Sequence, residues 1–290
     1  METNDHLLAT IERVGDLPAM PEAVADVLRL TEDVNASMDE IAGAVGRDPA
    51  LTARLLRISN SPYYGMRQYV GTVQLALVIL GMREIRNIVL GVSLFDSIRS
   101  DEASGVVAQD FWDHSFQVAS ICRRLAQSMK LQLQGEEFVA GLLHDIGKLI
   151  LARTDAAAYN VALTKTGGHG DALCKAELAA FGFTHADAAA ALAVRWNLPK
   201  TLTDALWLHH DKADASIDDA KDPQLAAVVC IANVSARTDF ASEDAVNALV
   251  TNPAWDTLHS APDPIHESAR EEALREICAE IDEEAAPTFD

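Results

Sequence analysis

The chain has 290 residues, 49% hydrophobic and 23% charged, a balance that supports a packed core and excludes a disordered chain. Its 44 acidic against 23 basic residues give a net charge of −21, which repels phosphate backbones and anionic lipid and so argues against general nucleic-acid or membrane-surface binding. Aromatics are only 6% while Ala and Leu abound, a composition that favours helices over sheets.

The predicted elements are helical from the start. Pro21 opens a helix carrying Val24, Val27, Leu28 and Leu30. Ser37 followed by Glu40 is a capping-box pattern for a second helix with Ile41, Ala44 and Val45. Asp48-Pro49 places an N-cap before a first-turn proline and opens Ala50–Ser59, which Asn60-Ser61-Pro62 ends. Thr72 caps Val73–Leu80, Gly81 breaks the run, and Arg83–Ile98 reads as a long apolar helix. Residues Arg99 to Asp110 are polar and Gly/Ser-bearing, and are read as the boundary between two helical subdomains, 1–100 and 101–255.

In the second half the pattern predicts helices at Phe111–Lys130, Glu136–Arg153, Ala156–Thr166 (ended by Gly167-Gly168), Gly170–Phe181, Ala186–Trp196, Lys200–His210 and Pro223–Thr238. Each carries apolar residues at the three- and four-residue spacing of a buried face. Residues 256–290 are read as an acidic helical tail, docked through Ile265, Ala269, Ala273, Ile277 and Ile281 and frayed at its last residues. No stretch alternates with period two, so the fold class is all-α.

Cys122, Cys174, Cys230 and Cys278 are far apart and form no CxxC pair, the pattern of free thiols in a reducing compartment. Met1 to Asp16 is polar and acidic, unlike a signal peptide. Val73–Leu80 and Val139–Ala152 fall well short of the roughly 20 apolar residues a membrane helix needs. The expectation is a cytoplasmic protein.

The histidines of the second half are the chemical signal. His114 shares a stripe with Val118, Ile121 and Leu125, and His209 with Leu202 and Leu206, while His185 sits just before a helix. His144 is followed directly by Asp145, and His210 follows His209. One inward-facing His is ordinarily a hydrogen-bonded core residue. Several, with an adjacent carboxylate, must satisfy one another or share a ligand, because an unpartnered buried imidazole costs a few kcal/mol. Neutral imidazole and carboxylate together suit iron, manganese or zinc, so the spacing points to a metal or anion site.

The string Gly141-Leu142-Leu143-His144-Asp145-Ile146-Gly147-Lys148 resembles the HD superfamily of metal-dependent phosphohydrolases. Leu17-Pro18-Ala19-Met20-Pro21, Asp48 through Gly65, Ile79 through Leu90, Phe111-Trp112-Asp113-His114-Ser115 and Trp196-Asn197-Leu198-Pro199 narrow the likeness to its HDOD branch, the HD-related output domains. The resemblance covers Leu17 to Thr238. It implies two helical subdomains, the second HD-phosphohydrolase-like, and a bacterial signal-transduction output or scaffold role. It also implies metal ligands at His114, His144 and Asp145, further ones at His185, His209 and His210, and a substrate-phosphate contact at Lys148. HD hydrolases place a ligand Asp on a late helix, where this chain offers Asn233, a neutral amide that holds a cation poorly and cannot act as a base. His209-His210 is followed by Asp211-Lys212, without the Gly-Tyr-Pro of the cyclic-di-GMP-cleaving relatives.

The functional expectation is therefore a module acting through protein contacts, without catalysis of its own. Its expected partners are signalling proteins such as a separate kinase, a response regulator or a cyclic-nucleotide enzyme, or a second copy of the chain. Tyr63, Tyr64 and Met66 are either a contact patch or a plug of the first bundle. The alternative is a metal-dependent phosphohydrolase acting on a nucleotide or phosphomonoester, with Lys148 as its phosphate-steadying catalytic group. DNA reading by a helix-turn-helix over Thr72–Ile98, with Arg83 and Arg86, is opposed by Ile85, Ile88, Val89 and Val92 and by the global charge.

Overall fold

A computed structural model describes residues 20–33, 35–60, 68–99, 107–133, 135–210 and 215–283. Among these, helices α1 (Glu22–Glu32), α2 (Met38–Gly46), α3 (Pro49–Ser59), α4 (Val73–Leu80) and α5 (Met82–Arg99) form the first bundle. Helices α6 (Val107–Ser128), α7 (Glu136–Leu143), α8 (Ile146–Thr154), α9 (Ala156–Thr166), α10 (Gly170–Phe181), α11 (His185–Arg195), α12 (Lys200–Trp207) and α13 (Pro223–Ser235) follow. The chain then runs through α14 (Glu243–Val250), α15 (Ala254–Leu258) and α16 (Glu267–Glu283). The fold is all-α. No described helix is long and apolar enough to cross a membrane.

Capping chemistry sets the starts. Ser37 and Glu40 complete their capping box at α2, Asp48 accepts from Ala50 and Leu51 at α3, and Thr72 accepts from Leu75 at α4. Thr184 and Asp187 form a second box at α11, and Asp222 with Pro223 opens α13. Gly167 and Gly182 close α9 and α10 in the left-handed conformation, which a Cβ would strain.

Packing explains the order. Val24, Val27, Ile41, Val45, Leu55, Leu77, Ile85 and Val89 fill the first bundle. Its last helix, α5, joins the second half through ion pairs from Glu84 to Arg123 (2.8 Å) and from Arg86 to Glu136 (3.2 Å). Glu136 also accepts from Thr201 at 2.7 Å, which ties α5, α7 and α12 together. The central helices are α6 and α13, both packed on α7. Helix α11 is almost wholly buried and rich in alanine, which lets α8 approach so closely that a Cβ on Gly147 would overlap the His185 carbonyl oxygen.

Several predicted boundaries differ. Helix α6 begins at Val107, inside the expected linker, and ends at Ser128 rather than Lys130. Glu136–Arg153 is two helices, broken at His144-Asp145. The His144 ring accounts for the break, because Nδ1 donates to the Gly141 carbonyl at 2.7 Å, the acceptor the Asp145 N–H would take in a continuous helix. Helix α12 stops at Trp207 rather than His210 for the same reason, with His209 Nδ1 donating to the Leu206 carbonyl at 2.7 Å. His185 is the first residue of α11 rather than the residue before it, and α13 ends at Ser235, three residues short of Thr238. In α16 the buried stripe is Arg270, Leu274, Ile277, Cys278 and Ile281, and Ala269 is exposed. The Tyr63, Tyr64 and Met66 loop, Leu17 to Ala19, Asp211 to Asp214 and the chain's last residues lie outside the described residues.

Candidate metal centre

Five helical segments deliver side chains to one buried carboxylate. Asp145 has Lys148 Nζ 2.7 Å and His144 Nε2 3.3 Å from its Oδ2, and His185 Nε2 3.2 Å from its Oδ1. His114 Nε2 stands at 3.6 Å, His209 Nε2 at 3.7 Å and an Arg237 nitrogen at 3.9 Å. The His210 ring lies 4.4 Å from that of His209 and 5.0 Å from that of His185. All the histidines and the aspartate expected from sequence are thus brought together, and Lys148 joins them.

The tautomers follow from what each ring does behind the site. His144 and His209 spend Nδ1–H on backbone carbonyls, and His185 spends Nδ1–H on Glu177 Oε2 at 2.7 Å. In the neutral form of each ring this leaves Nε2 as a lone pair facing inward. His185 Nε2 and His209 Nε2 stand 3.3 Å apart, so their lone pairs oppose each other unless a cation or a proton lies between. His144 Nε2 and Asp145 Oδ1 are buried without a hydrogen-bond partner. Metal-binding histidines characteristically donate their other ring N–H to a carbonyl or carboxylate, which is the arrangement of these three.

The six residues expected as ligands fall into two overlapping groups that could hold a metal, and Cys174, Glu177 and His185 form a third. The ligand atoms of Asp145, His185, His209 and His210 lie within 4.8 Å of one another, as do those of His114, His144 and Asp145. Asp145 is shared, so its two oxygens face two positions.

Electrostatics keep most of these groups in their ligand forms. Burial pushes His114 down to about 2 and His209 to about 3, and holds His210 well below the ordinary imidazole range. Burial also acts to lower His185, but the Glu177 and Asp145 carboxylates outweigh it and raise its pKa. Burial would raise Asp145, yet His144 and Lys148 beside it hold the carboxyl well below its usual range.

Asn233 occupies the remaining flank. Its Oδ1 is 3.2 Å from His114 Nε2, on the face of α13 turned to the cluster, so an amide stands where a carboxylate would complete the set around His114.

Sequence reading missed Glu177 and Arg237. Glu177 is fully buried on α10, four residues after the buried Leu173, and a carboxylate on that stripe was the available signal. Arg237 lies one turn beyond Asn233, just past the end of α13, and only the fold reveals its approach to Asp145.

The family model of the HDOD domain matches residues 17–212. The chain belongs to the HDOD family. A curated relative from Treponema pallidum, an uncharacterized protein, is 24% identical over 233 residues, which cover 78% of this chain and 43% of the relative. The chain thus spans under half the length of that relative. An HDOD domain protein of unknown function from Geobacter sulfurreducens superposes with a TM-score of 0.75 at 24% identity, covering 96% of this chain and 97% of its own. A candidate phosphohydrolase from Shewanella amazonensis gives 0.71 at 24% identity over 97% and 98%. At that identity these two structures speak for the fold.

Proposed function

We propose that this HDOD chain is a signal-transduction output module that works through protein contacts and does not turn over a phosphoester. The observation that carries the reading is Asn233. Beside His114 it presents an amide that contributes no negative charge to hold a divalent cation and cannot accept a proton from water. The chemistry of the donor set otherwise fits a metal such as iron, manganese or zinc. His114, His144 and Asp145 would hold one position, and Asp145, His185, His209 and His210 the other. A metal bound there would supply Lewis-acid polarisation and rigidify five helical segments around one carboxylate.

The partners this role calls for are signalling proteins: a separate kinase, a response regulator or a cyclic-nucleotide enzyme. A phosphohydrolase acting on a nucleotide or phosphomonoester is the second reading, favoured by Lys148, whose ammonium is held 2.7 Å from Asp145 at the edge of the cluster.

The test is elemental analysis of untagged protein purified without chelator, beside a His144→Ala, Asp145→Ala double variant, with a phosphomonoesterase and phosphodiesterase screen of both. The expected result is metal lost in the variant and no turnover in either. Turnover by the wild type that the variant lacks would establish the hydrolase reading instead.

A further inference from the structure

A cavity of about 980 Å³ opens beside the cluster, at the upper end of the roughly 300–1,000 Å³ of small-molecule sites. It runs from Lys148, His209 and His210 along α13 to α15. We propose that it binds a nucleoside monophosphate, with the phosphate held by Asn233, Arg237 and Lys148 without the help of a metal. The inference deepens the ligand side of the proposed function and rests on the reading of the chain as a module that binds without turnover.

Helix geometry supplies the cradle. Cys230 and Asn233 share a face of α13, Arg237 follows just past its end, and all three line the cavity. Asn233 is only 6% exposed. Its Oδ1 is engaged with His114, and among the described residues nothing accepts from its Nδ2. That nitrogen is not sealed from the cavity Asn233 lines, so it is free to donate to a ligand oxygen.

Arg237 adds a guanidinium whose only ionic partner among the described residues is Asp145 at 3.9 Å, beyond a close pair. Lys148 spends two of its three N–H donors on Asp145 and the Gly168 carbonyl, at 2.7 and 3.3 Å. Next to Lys148, beyond the Gly168 carbonyl it bonds, stands the start of α10, whose N-cap His169 makes no side-chain cap hydrogen bond. Its first N–H groups border the cavity at Gly170 and Asp171 and favour an anion. Asn233 thus does more than lack a charge. A carboxylate at that place would repel the phosphate that the amide can bind.

The rest of the cavity sets the class of ligand. Beyond the donors its walls are Val234, Ala245, Ala248 and Pro253, apolar surface suited to a planar ring, with the Asn252 amide beside them. The rim carries Asp171, Asp218, Asp219 and Asp256, all exposed. Lys148 and Asn233 at the buried floor, Arg237 exposed beside them and carboxylates along the rim call for a ligand anionic at one end only. Its other end should be neutral, with N–H donors for the rim. A nucleoside monophosphate meets that description, whereas a triphosphate or an oligonucleotide would carry charge into the acids.

The experiment is isothermal titration calorimetry of the full chain, stripped with EDTA, against AMP, GMP, CMP and UMP, with inorganic phosphate and ribose 5-phosphate as separate arms. At least one nucleotide is expected to bind with a Kd of about 100 μM or tighter. Inorganic phosphate and ribose 5-phosphate should each bind at least tenfold more weakly. Arg237→Met and Asn233→Asp should each weaken the nucleotide at least tenfold, in proteins whose circular dichroism matches the wild type. Peptide-level alkylation of Cys230 should slow in the presence of the nucleotide, which reads occupancy without any variant.

No binding by any nucleotide up to about 1 mM would overturn the proposal. So would equal affinity for inorganic phosphate, indifference to both substitutions, or binding that appears only after metal is restored. Hydrolysis of a bound nucleotide would overturn the non-catalytic reading and leave the site standing. Absence of binding without hydrolysis would do the reverse.

Discussion

One carboxylate oxygen of Glu177 holds His185 twice, accepting its backbone N–H at 2.9 Å and its ring Nδ1–H at 2.7 Å. The first contact fixes the start of α11 and the second fixes the ring, so the inward lone pair of His185 is set by a residue on another helix. Outer partners of this kind typically contribute about 10–100-fold to metal affinity. Glu177→Gln, which keeps the shape but removes the charge, should weaken a divalent metal by about tenfold or more in competition with a fluorescent chelator. An unchanged affinity would mean that His185 is not a ligand.

The approach of α8 to α11 depends on Gly147. An added Cβ would overlap the His185 carbonyl oxygen and lie 2.9 Å from the Ala189 nitrogen, both backbone atoms that cannot step aside. Gly147→Ala should therefore destabilise the protein by about 3 kcal/mol, at the upper end of overpacking effects, when measured by urea unfolding. Gly43, in the middle of α2, has open space where a Cβ would stand, so Gly43→Ala should gain up to about 1 kcal/mol from helix propensity. Similar effects at the two glycines would show that packing at Gly147 is looser than this.

Glu137 gives a pH-dependent test away from the cluster. It is buried at the start of α7 with its Oε2 unpartnered, and burial raises its carboxyl above the usual range, against the opposing pull of Arg123. A raised folded-state pKa means that the folded chain binds the extra proton, so stability falls as pH rises from the unfolded carboxyl range to the folded value. Glu137→Gln removes that loss. The variant should match the wild type near pH 4 and exceed it by about 1 kcal/mol at pH 7 in urea titrations. Arg123 keeps its ion pair with Glu84 at 2.8 Å, so the guanidinium is not left unpaired when the Glu137 charge is removed. A constant difference across pH would rule out the titration of Glu137 as its source.

Helix identity was legible in the sequence because caps and glycines mark it. Ser37 with Glu40, Asp48-Pro49, Thr72, and Gly167 with Gly168 each announced an end that the structure places within a residue or two. The ends at Leu143 and Trp207 were not legible. There the helix yields to an imidazole that takes a backbone carbonyl, and periodicity carries no trace of that competition. The gathering of six ligand-type residues was visible as histidines on apolar stripes. Glu177 and Arg237 were hidden because their roles arise from contacts between helices far apart in the chain.

Asn233→Asp restores the missing carboxylate beside His114. The substitution changes almost no volume and places a carboxylate oxygen about where Oδ1 now lies, 3.2 Å from His114 Nε2. The position beside His114, His144 and Asp145 would gain a second negative charge, and a divalent cation bound there should be held at least tenfold more tightly. The same charge desolvates poorly in a metal-free protein. The variant should therefore lose about 1–3 kcal/mol of stability in EDTA and recover it on adding manganese or zinc. Thermal unfolding of wild type and variant, with and without metal, reads both effects together. A metal-dependent gain larger in the variant than in the wild type supports the amide as the element that weakens this position. Equal gains would place the decisive ligands at His185, His209 and His210, and Asn233 would then matter to the cavity rather than to the metal.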